Sequence, residues 1–368
     1  MTTNGSTEAR RYARLRYRVA LAELLGSLAI LWGYQASGCS AAVASRADAW
    51  AAPFGIRLAA YLAVFGIVHT LLLFPLRWYS GFLLEHRFGL SRLRVGGWFV
   101  REGKQFLLSG AFGLLVMEGW YAIVRQWPAS WPVVAAIGWV GISVVLTRIF
   151  PTWLLRMFYR TEPLRDTEIA PRLLALCDRI GLPALGVFRV ELGRETRKAN
   201  AALTGLGRTR RVLVSDTLLE AFPPEEIETV LAHELGHHVH RHLLRMLALS
   251  GAGAWIALTL VNYWVRGWAI PAGLMSRLDD LRGFPVLMLA LSVVGLVGLP
   301  VQQAVSRAFE WQADRFAVQL TKQPGAFASA LKRLGQLNLA DPNPPAWIVW
   351  LLYDHPPISQ RIRVAEQS

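Results

Sequence analysis

Six stretches of about 18 to 23 residues carry few or no charges, and nothing else in this sequence constrains its fold as strongly. As helix, each is long enough to cross a hydrocarbon core of about 30 Å, because every residue adds about 1.5 Å. They run over Val19–Ala36, Leu58–Leu76, Phe106–Val124, Trp131–Ile149, Leu243–Val265 and Phe284–Val305. Composition agrees: 54% of residues are hydrophobic and 17% charged, too apolar a balance for an ordinary soluble enzyme. Trp78, Trp120, Trp131, Trp264 and Trp268 fall near the ends of these stretches, where an amphipathic ring sits at the headgroups. The chain therefore reads as mainly α, a polytopic α-helical membrane protein of six spans. Ala36-Ser37-Gly38-Cys39 resembles a lipoprotein cleavage site, but Ala36 stands where a larger aliphatic residue is expected, so the first segment reads as a retained span.

A formal charge of +14 raises the question of a nucleic-acid partner, and the placement of the charge answers it. Arg10, Arg11, Arg14, Arg16 and Arg18 precede the first span, while Arg77, Arg87, Arg92, Arg94, Arg101 and Lys104 flank the loop after the second. This is the positive-inside bias, and it puts both termini and the segment Leu155–His242 in the cytoplasm. No nucleic-acid motif accompanies the charge, so the expected partner surface is the lipid bilayer and not nucleic acid. Cys39 and Cys177 fall on opposite sides of that topology, which argues against a disulfide.

The order along the chain is a membrane part of four spans (1–155), a cytoplasmic insert (156–242), two further spans (243–305) and a cytoplasmic tail (306–368). Within the insert, Thr167–Ile180 has the period of an amphipathic helix stopped by Gly181 and Pro183. Val187–Leu192 and Arg211–Ser215 alternate as strands do, with Asn200–Leu206 a third between them, so the insert is a small α+β unit. Asp216 is placed to cap a short helix over Thr217–Ala221, and Pro223-Pro224-Glu225-Glu226 opens a longer one with carboxylates in its first turn.

That longer helix carries His233-Glu234-Leu235-Gly236-His237. Positions four apart share a helix face, so His233 and His237 can offer an imidazole each to one ion. Glu234 is turned about 100° round the axis, beside the ion without ligating it, as suits a base acting on a zinc-activated water. The following His238, His240 and His242 read as solvated. A catalytic zinc usually takes a third protein ligand and leaves a fourth position open. Glu310 is the candidate, with Asp314 one turn further on; two spans separate them from His237, so the chain returns to the same side of the bilayer. Asp314 could then accept a hydrogen bond from the outer nitrogen of a ligating histidine. The alternative, Glu310 paired with Arg307 on a surface helix, uses the same residues without a metal.

At these positions the chain resembles the type I CAAX prenyl endopeptidases, integral-membrane zinc proteases with a His-Glu-x-x-His helix and a later Glu-x-x-x-Asp helix. Further family motifs follow in the same order: Tyr79-Ser80 through Glu85-His86-Arg87-Phe88-Gly89, Asn200-Ala201 to Gly205, Val212 to Glu220, and His355-Pro356-Pro357 with Arg361. The resemblance covers about residues 75–365. It implies one Zn2+ per chain, held by His233, His237 and Glu310, with Glu234, Asp314 and His355 in the catalytic machinery. It also implies that Asn200, Ala201 and Arg361 bind substrate, and that His355 stabilises an oxyanion. Eukaryotic members are described with seven spans around a water-filled chamber; Glu23, His69, Glu118 and Arg148, all in or near spans here, are in keeping with such a chamber.

The expected function is a membrane-embedded zinc metalloendopeptidase acting on a peptide or protein, prenylated or membrane-associated. The alternative within the enzyme class is a heat-shock type metalloprotease for membrane-protein quality control, which shares the zinc motifs. A metal transporter built on the His237–His242 tract is the non-enzyme rival; its ligands would be expected at the bilayer midplane instead.

Overall fold

The arginine-rich amino terminus and the first apolar stretch form one uninterrupted helix, α1 (Thr3–Ala36), in the computed structural model, which describes residues 3–149, 153–166, 168–182, 184–204 and 210–367. Gly38, in the left-handed region at φ 75°, turns the chain into α2 (Cys39–Asp48). The second stretch is α3 (Phe54–Trp78), which continues through a π-helical segment, Tyr79–Leu84, into α4 (Glu85–Arg87). The third and fourth are α5 (Val95–Gln126) and α6 (Trp131–Ile149), and α7 (Leu155–Phe158) leads out of the membrane part.

The insert begins with β1 (Thr161–Pro163), α8 (Ile169–Arg179), β2 (Val187–Val190), β3 (Ala201–Thr204) and β4 (Arg211–Ser215). Next come α9 (Asp216–Ala221) and α10 (Pro224–Val239), the helix of the histidine motif. A membrane hairpin follows, α11 (His242–Trp264) and α12 (Phe284–Thr321), and α13 (Pro324–Leu337), α14 (Ala346–Leu352) and α15 (Ile358–Glu366) close the chain.

Among the described residues, five helical runs are long and apolar enough to cross a membrane: those built on α1, α3, α5, α11 and α12. The sixth expected span is present as the 19-residue α6, apolar over Trp131–Thr147. The outward faces carry Leu107, Leu115 and Val297 at 71%, 69% and 75% exposure, a surface suited to acyl chains rather than water. Cys39 is exposed, Cys177 buried, and both are free.

The sheet has the order β1-β2-β4-β3, with β2 and β4 parallel and the other pairs antiparallel. β3 is therefore an edge strand. β1 escaped the sequence reading because it is three residues long and contains a proline, which only an edge tolerates. Pro183 and the Gly205–Leu206 end of the expected third strand lie outside the described residues, as does the side chain of Arg148. One expectation is corrected: the cap of α9 is Ser215, whose hydroxyl accepts from the N–H of Leu218. The Asp216 carboxylate instead accepts the backbone N–H groups of Leu192, Gly193 and Thr217, pinning the loop after β2.

Two relationships hold α10 in place. Its apolar face, Ile227, Leu231 and Leu235, is fully buried against Leu173 and Leu176 of α8 and Val212 and Val214 of β4. Each such side chain contributes about 1.5–3 kcal/mol by burial, which fixes the rotation of the helix and aims the histidines the opposite way. At its start, Glu226 accepts from Ser329 Oγ at 2.6 Å and Arg333 Nε at 2.9 Å on α13, an ion pair of a buried carboxylate with a half-exposed guanidinium as well as a favourable helix-end charge. α12 has 38 residues and is thus about 57 Å long, so it projects from the bilayer and delivers its last turns to α10.

Candidate metal centre

The last turns of α12 run beside α10 at the histidine motif. Gly236 of α10 faces Ala313 of α12, and a Cβ on Gly236 would come within 3.0 Å of the Ala313 Cα. That contact lets His233 and His237 meet Glu310. His233 Nε2 lies 3.3 Å from Glu310 Oε2, His237 Nε2 lies 3.3 Å from Glu310 Oε1, and the two imidazole nitrogens are 3.2 Å apart. Two imidazoles and one carboxylate thus offer three ligand atoms within 4.8 Å of one another.

The outer nitrogens decide what the inner ones can do. His233 Nδ1 is 2.8 Å from Asp314 Oδ1, a carboxylate that can only accept, so Nδ1 carries a proton. His237 Nδ1 is 3.0 Å from His242 Nδ1, and His242 Nε2 is 3.1 Å from Gln312 Oε1. The amide oxygen accepts from His242 Nε2–H, leaving His242 Nδ1 to accept from His237 Nδ1–H. Both histidines are thereby set to point an Nε2 lone pair at the same place as the Glu310 carboxylate. Glu310 is buried, and its Oε2 has no hydrogen-bond donor among the described residues. Such a donor set fits a divalent metal. A proton competes for the same position: burial alone would lower the His233 pKa, but the Asp314 and Glu310 carboxylates outweigh it and lift it to about 9.

Asp314 is held in turn. Arg361 of α15 donates from Nε to Asp314 Oδ2 at 2.8 Å and from Nη2 to Asp314 Oδ1 at 2.6 Å, and Nη2 is 3.7 Å from Glu310 Oε2. Arg361, expected to bind substrate, is thus a brace on the carboxylate that orients His233. Arg307 is not the partner of Glu310: it donates to the carbonyls of Val349 and Tyr353, at 2.9 and 2.7 Å.

Glu234 projects beside His237 into a cleft of about 980 Å³ walled by Leu203 and Thr204 of β3, Leu243 of α11 and Phe309 of α12. Burial raises its carboxyl above the usual range, and Glu310 adds to this while His233, His237 and His355 oppose it. His355 brings Nε2 to 3.3 Å from Glu310 Oε2 and is half exposed, with Nδ1 2.8 Å from Asp354 Oδ1. Burial opposes its charged form, but the Asp354 and Glu310 carboxylates prevail and raise its pKa. Asn200 stands immediately before β3, exposed, with its backbone paired to Ser215 on both sides; Ala201 is the first residue of that strand. Neither makes a hydrogen bond to the metal cluster among the described residues.

Three contributors escaped the sequence reading. His242 is 3% exposed, stacked on Phe309 with centroids 4.3 Å apart, and is not solvated as expected. His238 holds α10 to the edge strand by donating to the Leu203 carbonyl at 3.0 Å, and burial keeps it neutral by lowering its pKa. Asp354 was passed over because nothing in the sequence distinguishes it from a turn residue before His355. The spacing of His242 was no guide either, since the chain breaks between α10 and α11 at Arg241, whose φ is 54°.

Comparison with known proteins agrees with this geometry. Residues 163–368 match the family described as Peptidase family M48, and residues 1–160 match "CAAX prenyl protease N-terminal, five membrane helices". The chain is similar to "Uncharacterized metalloprotease YhfN" of Bacillus subtilis, 28% identical over 323 residues that cover 86% of this chain and 75% of that protein. It is 27% identical to CAAX prenyl protease 1 of Saccharomyces cerevisiae over 320 residues, covering 82% of this chain and 70% of the relative. The crystal structure of S. mikatae Ste24p has the same fold, with a TM-score of 0.89 at 22% identity, covering 100% of this chain and 90% of the other. The match of the membrane part to the prenyl-protease amino terminus disfavours the heat-shock alternative. The chain therefore belongs to peptidase family M48 and is a multi-pass membrane metalloendopeptidase.

Proposed function

We propose that the metal is zinc, one per chain, and that the enzyme cleaves peptide bonds near the carboxyl terminus of prenylated proteins on the cytoplasmic side of the membrane. The observation that carries the zinc assignment is spacing. Tetrahedral zinc with bonds of about 2.0–2.1 Å has ligand atoms roughly 3.3 Å apart; here the two imidazole Nε2 atoms are 3.2 Å apart, and each lies 3.3 Å from one oxygen of the Glu310 carboxylate, His233 from Oε2 and His237 from Oε1. His233, His237 and Glu310 would hold the ion beside the cleft that His237 and Glu234 line. When bound, zinc supplies Lewis acidity for the scissile carbonyl and for the attacking water.

The chain's own groups do the rest. Glu234 accepts a proton from the attacking water and delivers it to the leaving amine, a role for which a raised carboxyl pKa is suited. His355, whose pKa is raised against the opposing effect of burial by the Asp354 and Glu310 carboxylates, donates where negative charge develops on the carbonyl oxygen. Asp314 and Arg361 keep His233 oriented. The outer edge of β3, beginning at Asn200 and Ala201, is suited to pair with an extended substrate backbone. The CAAX reading rests on relatives named for that activity, and the cytoplasmic side on the arginines before α1 and after α3.

The test is incubation of the purified, zinc-loaded protein with farnesylated and unfarnesylated peptides of one sequence, read by mass spectrometry, with a chelator control. Cleavage near the carboxyl terminus of the farnesylated peptide alone, abolished by the chelator, is expected. Equal cleavage of both peptides would remove the prenyl requirement.

A further inference from the structure

A second groove, of about 860 Å³, runs between α1, α12 and α14. Its floor is apolar: Leu21 and Leu24 of α1, Leu296 and Leu299 of α12, and Ile348 and Leu352 of α14. Its rim is cationic. Arg10, Arg14 and Arg18 line it, four residues apart on α1 and therefore on one helix face, spaced about 6 Å along the axis. All three are exposed, and none has an ion-pair partner among the described residues. Asp341, the carboxylate in the wall, is buried and turned onto its own loop, accepting from the Asn343 N–H at 3.0 Å.

We propose that this groove is a binding site for one anionic glycerophospholipid, with an acyl chain along the leucine floor and the phosphate on Arg10, Arg14 and Arg18. The charge pattern selects the occupant: unpaired cations just where a membrane-crossing helix enters the bilayer, directly above an apolar channel, match an amphiphile with a negative head and a hydrocarbon tail. A zwitterionic lipid would fill the channel but leave the arginine ladder uncompensated. Trp347 and Trp350 on α14, 65% and 59% exposed, mark the same level as membrane interface. The wall formed by α14 is rigid. Gln303 and Arg307 of α12 donate to the carbonyls of Leu352, Val349 and Tyr353, and Tyr17 and Tyr353 share a hydrogen bond of 2.6 Å. α14 ends three residues before His355, so the bound lipid lies next to the catalytic centre without entering it.

The test is native mass spectrometry of the full-length protein, delipidated in detergent and titrated with phosphatidylglycerol or phosphatidylcholine of matched chains. One phosphatidylglycerol should bind with clear preference. A juxtamembrane arginine is worth about fivefold in affinity for an anionic lipid, so R10Q/R14Q/R18Q should lose on the order of a hundredfold and bind both lipids alike. Leu299→Trp, which fills the channel and leaves the arginines intact, should lower affinity for both lipids, and metal content should stay unchanged in every variant. Equal binding of the two lipids by the wild type, or undiminished phosphatidylglycerol binding by the arginine variant, would overturn the proposal. Displacement of the lipid by a farnesylated peptide would do so too, reassigning the groove to the substrate's own tail.

Discussion

Gly236 of α10 and Ala313 of α12 pass so closely that the glycine has no room for a side chain: an added Cβ would sit 3.0 Å from the Ala313 Cα and 3.3 Å from its Cβ. Both neighbours are backbone or near-backbone atoms that cannot rotate away. The distance between the histidine pair and Glu310 is therefore set by this contact.

Gly236→Ala is expected to push α12 outward and weaken metal binding. Overpacking of a tight contact costs about 1–3 kcal/mol, which corresponds to about 5- to 150-fold in affinity if the strain is released by separating the ligands. Competition with a chromophoric chelator measures it. An unchanged metal affinity would show that the helices can part without moving Glu310.

Glu234→Gln should keep the metal and lose turnover, because the amide has nearly the same shape and cannot take a proton. It should also stabilise the metal-free protein at neutral pH. The folded-state carboxyl pKa is raised by burial, so between the unfolded value of about 4.3 and that higher value the native state binds more protons than the unfolded one. Stability falls as pH rises through this window, and the deficit persists above it. Glutamine has no such deficit. Thermal melts of both proteins in chelator at acid and neutral pH should diverge only on the neutral side.

The Glu234 and His355 shifts together predict the pH profile of kcat/KM. Glu234 works deprotonated, so activity fades as pH falls through a value above the ordinary glutamate range. His355 works protonated, so activity fades as pH rises through a value above the ordinary histidine range. Asp354→Asn removes the hydrogen-bonded carboxylate that helps hold the His355 charge and should move the basic limb to lower pH. His355→Ala should lower kcat by about 10²–10³ with little change in metal content.

His242→Phe keeps a ring against Phe309 but removes the acceptor for His237 Nδ1–H. Loss of such an outer partner typically costs about 10- to 100-fold in metal affinity. His242→Asn, which keeps an acceptor oxygen near the position of Nδ1, should recover part of it. Equal affinities for all three proteins would mean that His242 serves only to pack the start of α11.

The membrane helices, three of the four strands of the insert and the metal-binding residue types were legible in the sequence because each is a local pattern. Apolar length, alternation and a four-residue spacing survive without knowledge of what they pack against. Asp314, Glu310 and the histidine pair could be nominated in that way, although they are drawn from two helices separated by a membrane hairpin. The support around them was not legible. Gly236 looks like any helical glycine until Ala313 is beside it, and Arg361, which the resemblance assigned to substrate, shows its contact with Asp314 only once α15 lays it there. His242 lies beyond a break in the helix, so counting residues from His237 puts it in solvent while the fold buries it. What the chain's own pattern determined was which residues can form helices and which can bind a metal. The distances between those residues, their tautomers and their burial were decided by contacts between elements far apart in sequence, because a hydrogen bond or a steric limit exists only once both partners are in place.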